Sequence, residues 1–165
     1  MQIYLLRHGI AEAGRPGMAD RDRALVSEGR KKLRSILAAA SSAGVAPATI
    51  LSSPYLRARQ TAEIARDIVG GELLESPALV PSSRPEAVWD EIRVHKDAAQ
   101  LLLVGHEPLF SQLMAFLLGV PELIVDFKKG ALARVDFEGP ITTRQPRCAL
   151  RWFLTAKLVD GDASK

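Results

Sequence analysis

Short continuous apolar runs alternate along this chain with longer stretches in which apolar residues recur every three or four positions. That alternation predicts strands and helices in turn. The first run, Ile3-Tyr4-Leu5-Leu6, predicts a strand over 2–7 that ends at Gly9. Residues 10–26 mix Gly14, Pro16 and Gly17 with several charges and predict a loop. Leu33, Ile36, Leu37 and Ala40 then share one stripe, so a helix is expected over 28–43, capped by Ser27 and closed by Gly44. "ATILSS" at 48–53 predicts a second buried strand. Ser53 would cap the next helix, with Pro54 at its first position and Gly70-Gly71 stopping it after Val69.

The second half continues the rhythm. "ELLE" predicts a short strand, and Ser83-Arg84-Pro85-Glu86 has the spacing of a capping box ahead of a helix containing Trp89 and Ile92. "QLLLVG" at 100–105 is apolar throughout, as expected of a strand buried on both faces. A helix from Pro108 to Leu118 follows, closed by Gly119. "ALARVDF" and "ALRWFLTA" predict two strands, antiparallel at a sheet edge and joined by a polar, proline-containing turn. Strand–helix alternation over the first two thirds predicts an α/β fold: a three-layer α/β/α sandwich with a largely parallel central sheet. In such folds ligands gather at the carboxyl ends of the strands.

Composition narrows the classes of partner. The 165 residues suit a single domain over 1–165, and 47% hydrophobic with 25% charged residues is the mix of a globular protein. No apolar run is long enough to cross a bilayer, and the start of the chain lacks the pattern of a secretory signal. Cys148 stands alone and no Cys or His cluster has metal-ligand spacing, so a reducing, cytoplasmic setting without a metal is expected. The net charge of +3 is mildly basic. Its clusters "GRKKLR" at 29–34, "LRARQ" and "FKKG" read first as solvated faces, and no aromatic residues interleave with them, which argues against nucleic acid. Phosphorylated or acidic ligands fit such a balance equally well.

The chemistry-bearing residues sit at predicted strand ends. Arg7-His8-Gly9 follow the first strand, Ser52-Ser53-Pro54 the second, and Gly105-His106-Glu107 the strand at 100–105. Parallel, adjacent strands would bring Arg7, His8, His106 and the first turn of the helix carrying Arg57 to one crevice. Two arginines, two histidines and a helix N-terminus repel one another unless an anion lies between them, and a phosphoryl group matches arginine in bidentate fashion. Alone, each has a plainer reading: a hydrogen-bonded structural histidine, a solvated arginine, a glycine that permits a turn. His95 reads as a surface histidine and Trp89 and Trp152 as packing residues.

"LLRHG" at 5–9, "SSPYLRARQTA" at 52–62 and "LVGH" at 103–106 resemble, in order, the signatures of the histidine phosphatase superfamily, also called phosphoglycerate mutase-like. The short chain, "RALVSEG" at 23–29 and "GHEPL" make it most similar to SixA-type phosphohistidine phosphatases. The resemblance implies the phosphoglycerate mutase-like fold and a metal- and cofactor-independent phosphatase. It implies His8 as the nucleophile, with Arg7, Arg57 and His106 binding the transferred phosphoryl oxygens, His106 as a cation, and Gly9 in the substrate-binding loop. Arg23 matches an arginine that precedes "L-T-x-x-G" in SixA-like sequences; Val26 or Ser27 stands here for the threonine, and a substrate-facing and a surface role are both open.

Mutase-like relatives carry a glutamate as general acid between the second and third motifs. The SixA-like pattern places an acidic residue before Leu-x-Pro, where this chain has Ala78 before Leu79-Val80-Pro81. Glu75, Glu86, Glu12, Asp20 and Asp22 are the remaining candidates. A phosphohistidine needs little help from an acid, because its imidazole leaves already protonated. A phosphohistidine-bearing protein is therefore the expected partner, reaching a pocket whose short inter-motif spacing leaves little room for a lid. The alternatives are a small-molecule phosphate ester phosphatase and a non-catalytic phosphate-binding module.

Overall fold

A computed structural model describes residues 1–139, 146–159 and 161. Its strands are β1 Gln2–Arg7, β2 Thr49–Ser52, β3 Glu72–Glu75, β4 Gln100–Gly105, β5 Leu132–Phe137 and β6 Cys148–Leu154. Its helices are α1 Ser27–Ser42, α2 Leu56–Val69, α3 Pro85–Val94, α4 Leu109–Leu118 and α5 Ala156–Val159. The strands form one sheet in the order β3-β2-β4-β1-β5-β6. The first four run parallel, β5 pairs antiparallel with β1, and β6 pairs antiparallel with β5. The sandwich expected from the sequence is the one observed. The turn expected between β5 and β6 lies largely outside the described residues.

Period-2 alternation in β1 separates the two cores. Ile3 and Leu5 pack with Leu101, Leu103, Trp89, Ile92, Phe110 and Leu113 under α3 and α4. Tyr4 and Leu6 face the other way, onto Leu33, Ile36, Leu37, Ala58, Ala62 and Ala65 of α1 and α2. A strand buried on both faces tolerates no polar residue until it ends, which is why the polar chemistry is confined to the strand ends. Among the described residues no helix is long and apolar enough to cross a membrane.

Three helix starts differ from expectation. Ser27 is the first helical residue of α1 and Val26 precedes it without a side-chain cap. α2 begins at Leu56, two residues beyond Pro54, and the Ser53 hydroxyl accepts the Tyr55 N–H (3.3 Å) across a turn rather than capping the helix. The Ser83–Glu86 capping box does not form: Arg84 precedes α3 uncapped, and the Ser83 hydroxyl donates to the Pro77 carbonyl (3.3 Å). At Ser53 and Ser83 the hydroxyl takes another partner in place of the helix's first N–H groups.

The loop after β1 is pinned to both helices of its layer. An isolated bridge joins Ala11 to Leu25, and the Leu25 N–H donates to Gln60 Oε1 on α2 (2.8 Å). Gly29 of α1 lies so close to the loop that a Cβ there would sit 2.3 Å from the Ile10 carbonyl oxygen. Only a glycine permits that approach.

Candidate active site

Register places the site. Arg7 lies opposite Gly105, and Ser52 opposite Val104, so β1, β4 and β2 end within a residue of one another. The ladder runs on for one more bond on each side: His8 N–H donates to the Gly105 carbonyl and Ser53 N–H to the Val104 carbonyl, both at 3.0 Å. His8, Ser53 and His106 are thereby carried to a common edge, all three buried. The His8 and His106 rings are 4.9 Å apart between centroids.

His8 Nδ1 lies 2.7 Å from the Gly9 carbonyl oxygen. A carbonyl only accepts, so the ring proton is on Nδ1 and Nε2 carries a lone pair. That lone pair accepts from Arg57 Nε at 3.3 Å. The Gly9 N–H donates to Thr61 Oγ1 (3.2 Å), whose hydroxyl donates to the Arg57 carbonyl (2.7 Å). Gly9 is thus committed through both of its polar groups to holding His8 and α2, and a Cβ on it would meet Leu33 Cδ1 at 2.6 Å.

Arg57 is buried on the first turn of α2, its guanidinium 5.1 Å from the Tyr55 ring centroid. Its Nη1 donates to the Asp20 carbonyl (2.6 Å) and its Nη2 to Asp20 Oδ2 (2.8 Å). Asp20 opens a 3-10 turn, Asp20–Asp22, and its Oδ1 takes Nη1 of Arg23 (2.8 Å). Arg23 also donates from Nε to the Glu12 carbonyl (2.8 Å). Arg23 therefore reaches the centre through Asp20, not by touching His8. Arg7 donates from Nη1 to the Phe127 carbonyl, while its buried Nε has no partner among the described residues. His106 shares a 2.8 Å hydrogen bond between Nε2 and Ser53 Oγ, and its buried Nδ1 is likewise without a partner. Among the described residues, these two buried polar nitrogens, on Arg7 and His106, are left for a ligand to satisfy.

The electrostatics agree. Burial, then the neighbouring His106, pushes the His8 imidazole down to about 3; the Arg57 and Arg7 charges add to the effect. Burial, then Arg57, pushes His106 down to about 3 as well. Both rings are neutral near pH 7 with only protein groups around them. The cationic His106 expected from the sequence would need the charge of a phosphoryl group beside it. Asp20 is held below the usual carboxylate range by its hydrogen bonds from Arg23 and Arg57.

The other carboxylates weighed as proton donors point elsewhere. Glu75 pairs with Arg59 (2.9 Å) at the sheet edge, Glu12 accepts the Ala24 N–H (2.9 Å), and Asp22 lies exposed near Arg21. Glu86 is exposed on α3. Glu107, beside His106, accepts the Ser111 N–H (3.0 Å) and the Ser111 hydroxyl on α4. His95 ends α3, half-buried and 3.9 Å from Glu91.

Sequence reasoning brings Arg7, His8, Arg57 and His106 together, and the structure does too. It missed the partners: Ser53 on His106, Thr61 on Gly9, Tyr55 edge-on to His106 and under the Arg57 guanidinium, and Asp20 as an arginine anchor. Three of these lie inside "SSPYLRARQTA", whose polar positions outnumber what a helix start needs. That surplus was the available signal.

A buried histidine with an unprotonated Nε2, flanked by arginines and a second histidine at the ends of parallel strands, can hold an anion beside a lone pair. The chain belongs to the histidine phosphatase superfamily: the profile of the histidine phosphatase superfamily (branch 1) matches residues 3–80. An uncharacterized protein of Picosynechococcus is 34% identical over 114 residues, covering 66% of this chain and 67% of the relative. Among solved structures, the protein histidine phosphatase SixA complexed with tungstate matches at a TM-score of 0.82 and 25% identity, over 94% of this chain and 97% of that one. The alpha-ribazole phosphatase of Shigella flexneri matches in fold, with a TM-score of 0.72 and 16% identity over 94% of this chain and 97% of that one.

Proposed function

We propose that this chain is a phosphatase that works through phosphorylated His8 and that its substrate is a phosphohistidine-bearing protein. The observation that carries the reading is the His8–Gly9 hydrogen bond, which leaves Nε2 unprotonated beside Arg57. Similarity to SixA over nearly the whole chain supports the substrate class.

In the first step the Nε2 lone pair attacks phosphorus and the bond to the substrate imidazole breaks, its electron pair returning to that ring. The ring leaves neutral because its distal nitrogen already bears a proton. In phosphorylated His8 the imidazole ring carries a positive charge beside the anionic phosphoryl group, with Nδ1–H still donated to Gly9. In the second step water attacks phosphorus, the Nε2–P bond breaks, and neutral His8 is restored as phosphate and the water's proton depart. The phosphoryl group passes through a loose transition state with charge on three equatorial oxygens. Arg7 Nε, the guanidinium of Arg57 and Nδ1 of His106 supply the donors for those oxygens. Gly9 acts through His8, and Arg23 through Asp20.

No proton donor is needed for an imidazole leaving group, and the carboxylate that reaches Arg57, Asp20, is held ionised by two arginines. An alkoxide leaving group would need a neutral acid there. The reading is tested by phosphate release from a phosphohistidine protein domain, beside an aryl phosphate and a phosphoglycerate, with His8→Ala as control. Faster turnover of the domain is expected. Faster turnover of the esters would replace this reading with a small-molecule phosphatase, and binding without turnover by the parent chain would leave a phosphate-binding module.

A further inference from the structure

Beside Arg7 the surface opens into a groove of about 730 Å³ lined by Lys32, Lys128, Lys129 and Lys157, with Asp126 as the one carboxylate in its wall. Three distant segments build it: Lys32 from α1, Lys128 and Lys129 from the stretch before β5, and Lys157 from α5. The whole chain has a net charge of only +3, yet this one groove gathers five cationic side chains, Arg7 included, with one acid in its wall and Glu28 at its margin beside Lys32. The concentration of charge is therefore local, not a reflection of composition. "GRKKLR" and "FKKG", which read separately as solvated faces, converge here.

The groove is continuous with the reaction centre. Arg7 belongs to both, and the Gly130 N–H donates to the carbonyls of Arg7 (3.1 Å) and His8 (3.0 Å), fixing the lysine-bearing stretch to the end of β1. Two of the lysines are paired, Lys128 with Asp126 and Lys32 with Glu28 on its own helix (2.6 Å), which leaves the charge of the groove chiefly to Arg7, Lys129 and Lys157. Lys128, Lys129 and Lys157 are exposed. Ammonium groups on flexible stems, spread over an open groove, suit several carboxylates on a broad surface; a compact second phosphate would favour a tight, buried arginine fork.

We infer that this lysine groove is the docking surface for an acidic face of the protein that carries the phosphohistidine. The inference rests on the phosphohistidine reading above and extends it from the transferred group to the surface around it. A field of this kind raises association with an oppositely charged partner and weakens with salt.

The test compares the parent chain with Lys128→Glu/Lys129→Glu/Lys157→Glu and with the milder Lys128→Gln/Lys129→Gln/Lys157→Gln. The probes are a phosphohistidine-bearing protein domain with acidic residues around its histidine and phosphoramidate alone. The charge reversal should lower kcat/KM on the domain by about tenfold or more, the glutamine variant by less, and phosphoramidate turnover by less than about twofold. Parent turnover of the domain should also fall more steeply with salt than turnover of phosphoramidate. Equal turnover of the domain by parent and variants, or a glutamine variant that loses both substrates alike, overturns the proposal. Weakened inhibition by pyrophosphate with domain turnover intact would assign the groove to a second phosphate of a small substrate and overturn it too. Failure of the phosphohistidine reading shows in the parent itself, which would then hydrolyse esters faster than the domain; failure of the groove alone shows only in the comparison with its variants.

Discussion

Nδ1 of His8 and the carbonyl oxygen of Gly9 lie 2.7 Å apart, and through that contact the backbone chooses which nitrogen of the histidine can react. The phosphoryl group trapped during turnover should therefore be linked through Nε2. Rapid quenching in alkali and analysis of the phosphohistidine isomer reads this directly. Label on Nδ1 would contradict the assigned tautomer. His8→Ala should lower turnover by about 10³-fold or more, as loss of a nucleophile does.

Both imidazoles are pushed down to about 3, below the 6.5 of an ordinary histidine. Unfolding at acid pH then takes up protons, so the stability linked to these groups is complete above about pH 6.5 and is lost progressively as pH falls toward 3. Each histidine contributes a slope of at most about 1.4 kcal/mol per pH unit. Urea unfolding at pH 7.5, 6 and 5 should show the decline, and His8→Ala should flatten it. The ring of His8 in the protein alone should show no NMR titration between about pH 8 and 5.

Asp20 competes with any anion for Arg57, since both Nη atoms of that arginine already donate to it. Asp20→Asn should tighten inhibition by inorganic phosphate about threefold to tenfold, because a negative charge beside the anion position is removed. Turnover of aryl phosphate and phosphohistidine should change together. Selective loss of the ester reaction would instead identify Asp20 as a proton donor.

Ser53 holds His106 by a 2.8 Å hydrogen bond in a fully buried setting. Ser53→Ala should cost about 1–3 kcal/mol of stability by leaving a buried ring nitrogen unpaired. It should lower kcat more than it raises KM, because the ring is then free to turn its Nδ1 away. Steady-state kinetics and thermal unfolding of the same variant separate the two effects, and Ser53→Thr should restore much of both.

Gly29→Ala tests how tightly the first loop is seated. The added Cβ would overlap the Ile10 carbonyl, and overpacking of this kind costs about 1–3 kcal/mol. Chemical unfolding should show the loss. Because Arg23 and Asp20 ride on that loop, kcat should fall as well.

Much of this was legible in the sequence. Buried strands announce themselves as unbroken apolar runs, so the order of strands and the chemistry at their ends could be read without a structure. Serine positions could not be read in the same way. Ser53 and Ser83 each have the pattern of a cap, yet their hydroxyls take other partners, which the folded chain decides: Ser53 meets His106 just past a strand that begins 47 residues later. The anchoring of Arg57 by Asp20 was hidden for the same reason, since the two are 37 residues apart and meet only when the loop folds over α2.

The Phe127 carbonyl that holds Arg7 reaches back across 120 positions of chain. A ribosome that had released the chain only as far as Leu109 would have displayed every motif by which this protein is recognised, and Arg7 would still lack its seat. The site is thus completed by the stretch that emerges just ahead of β5, and a seated Arg7 becomes a certificate that synthesis has run past Phe127.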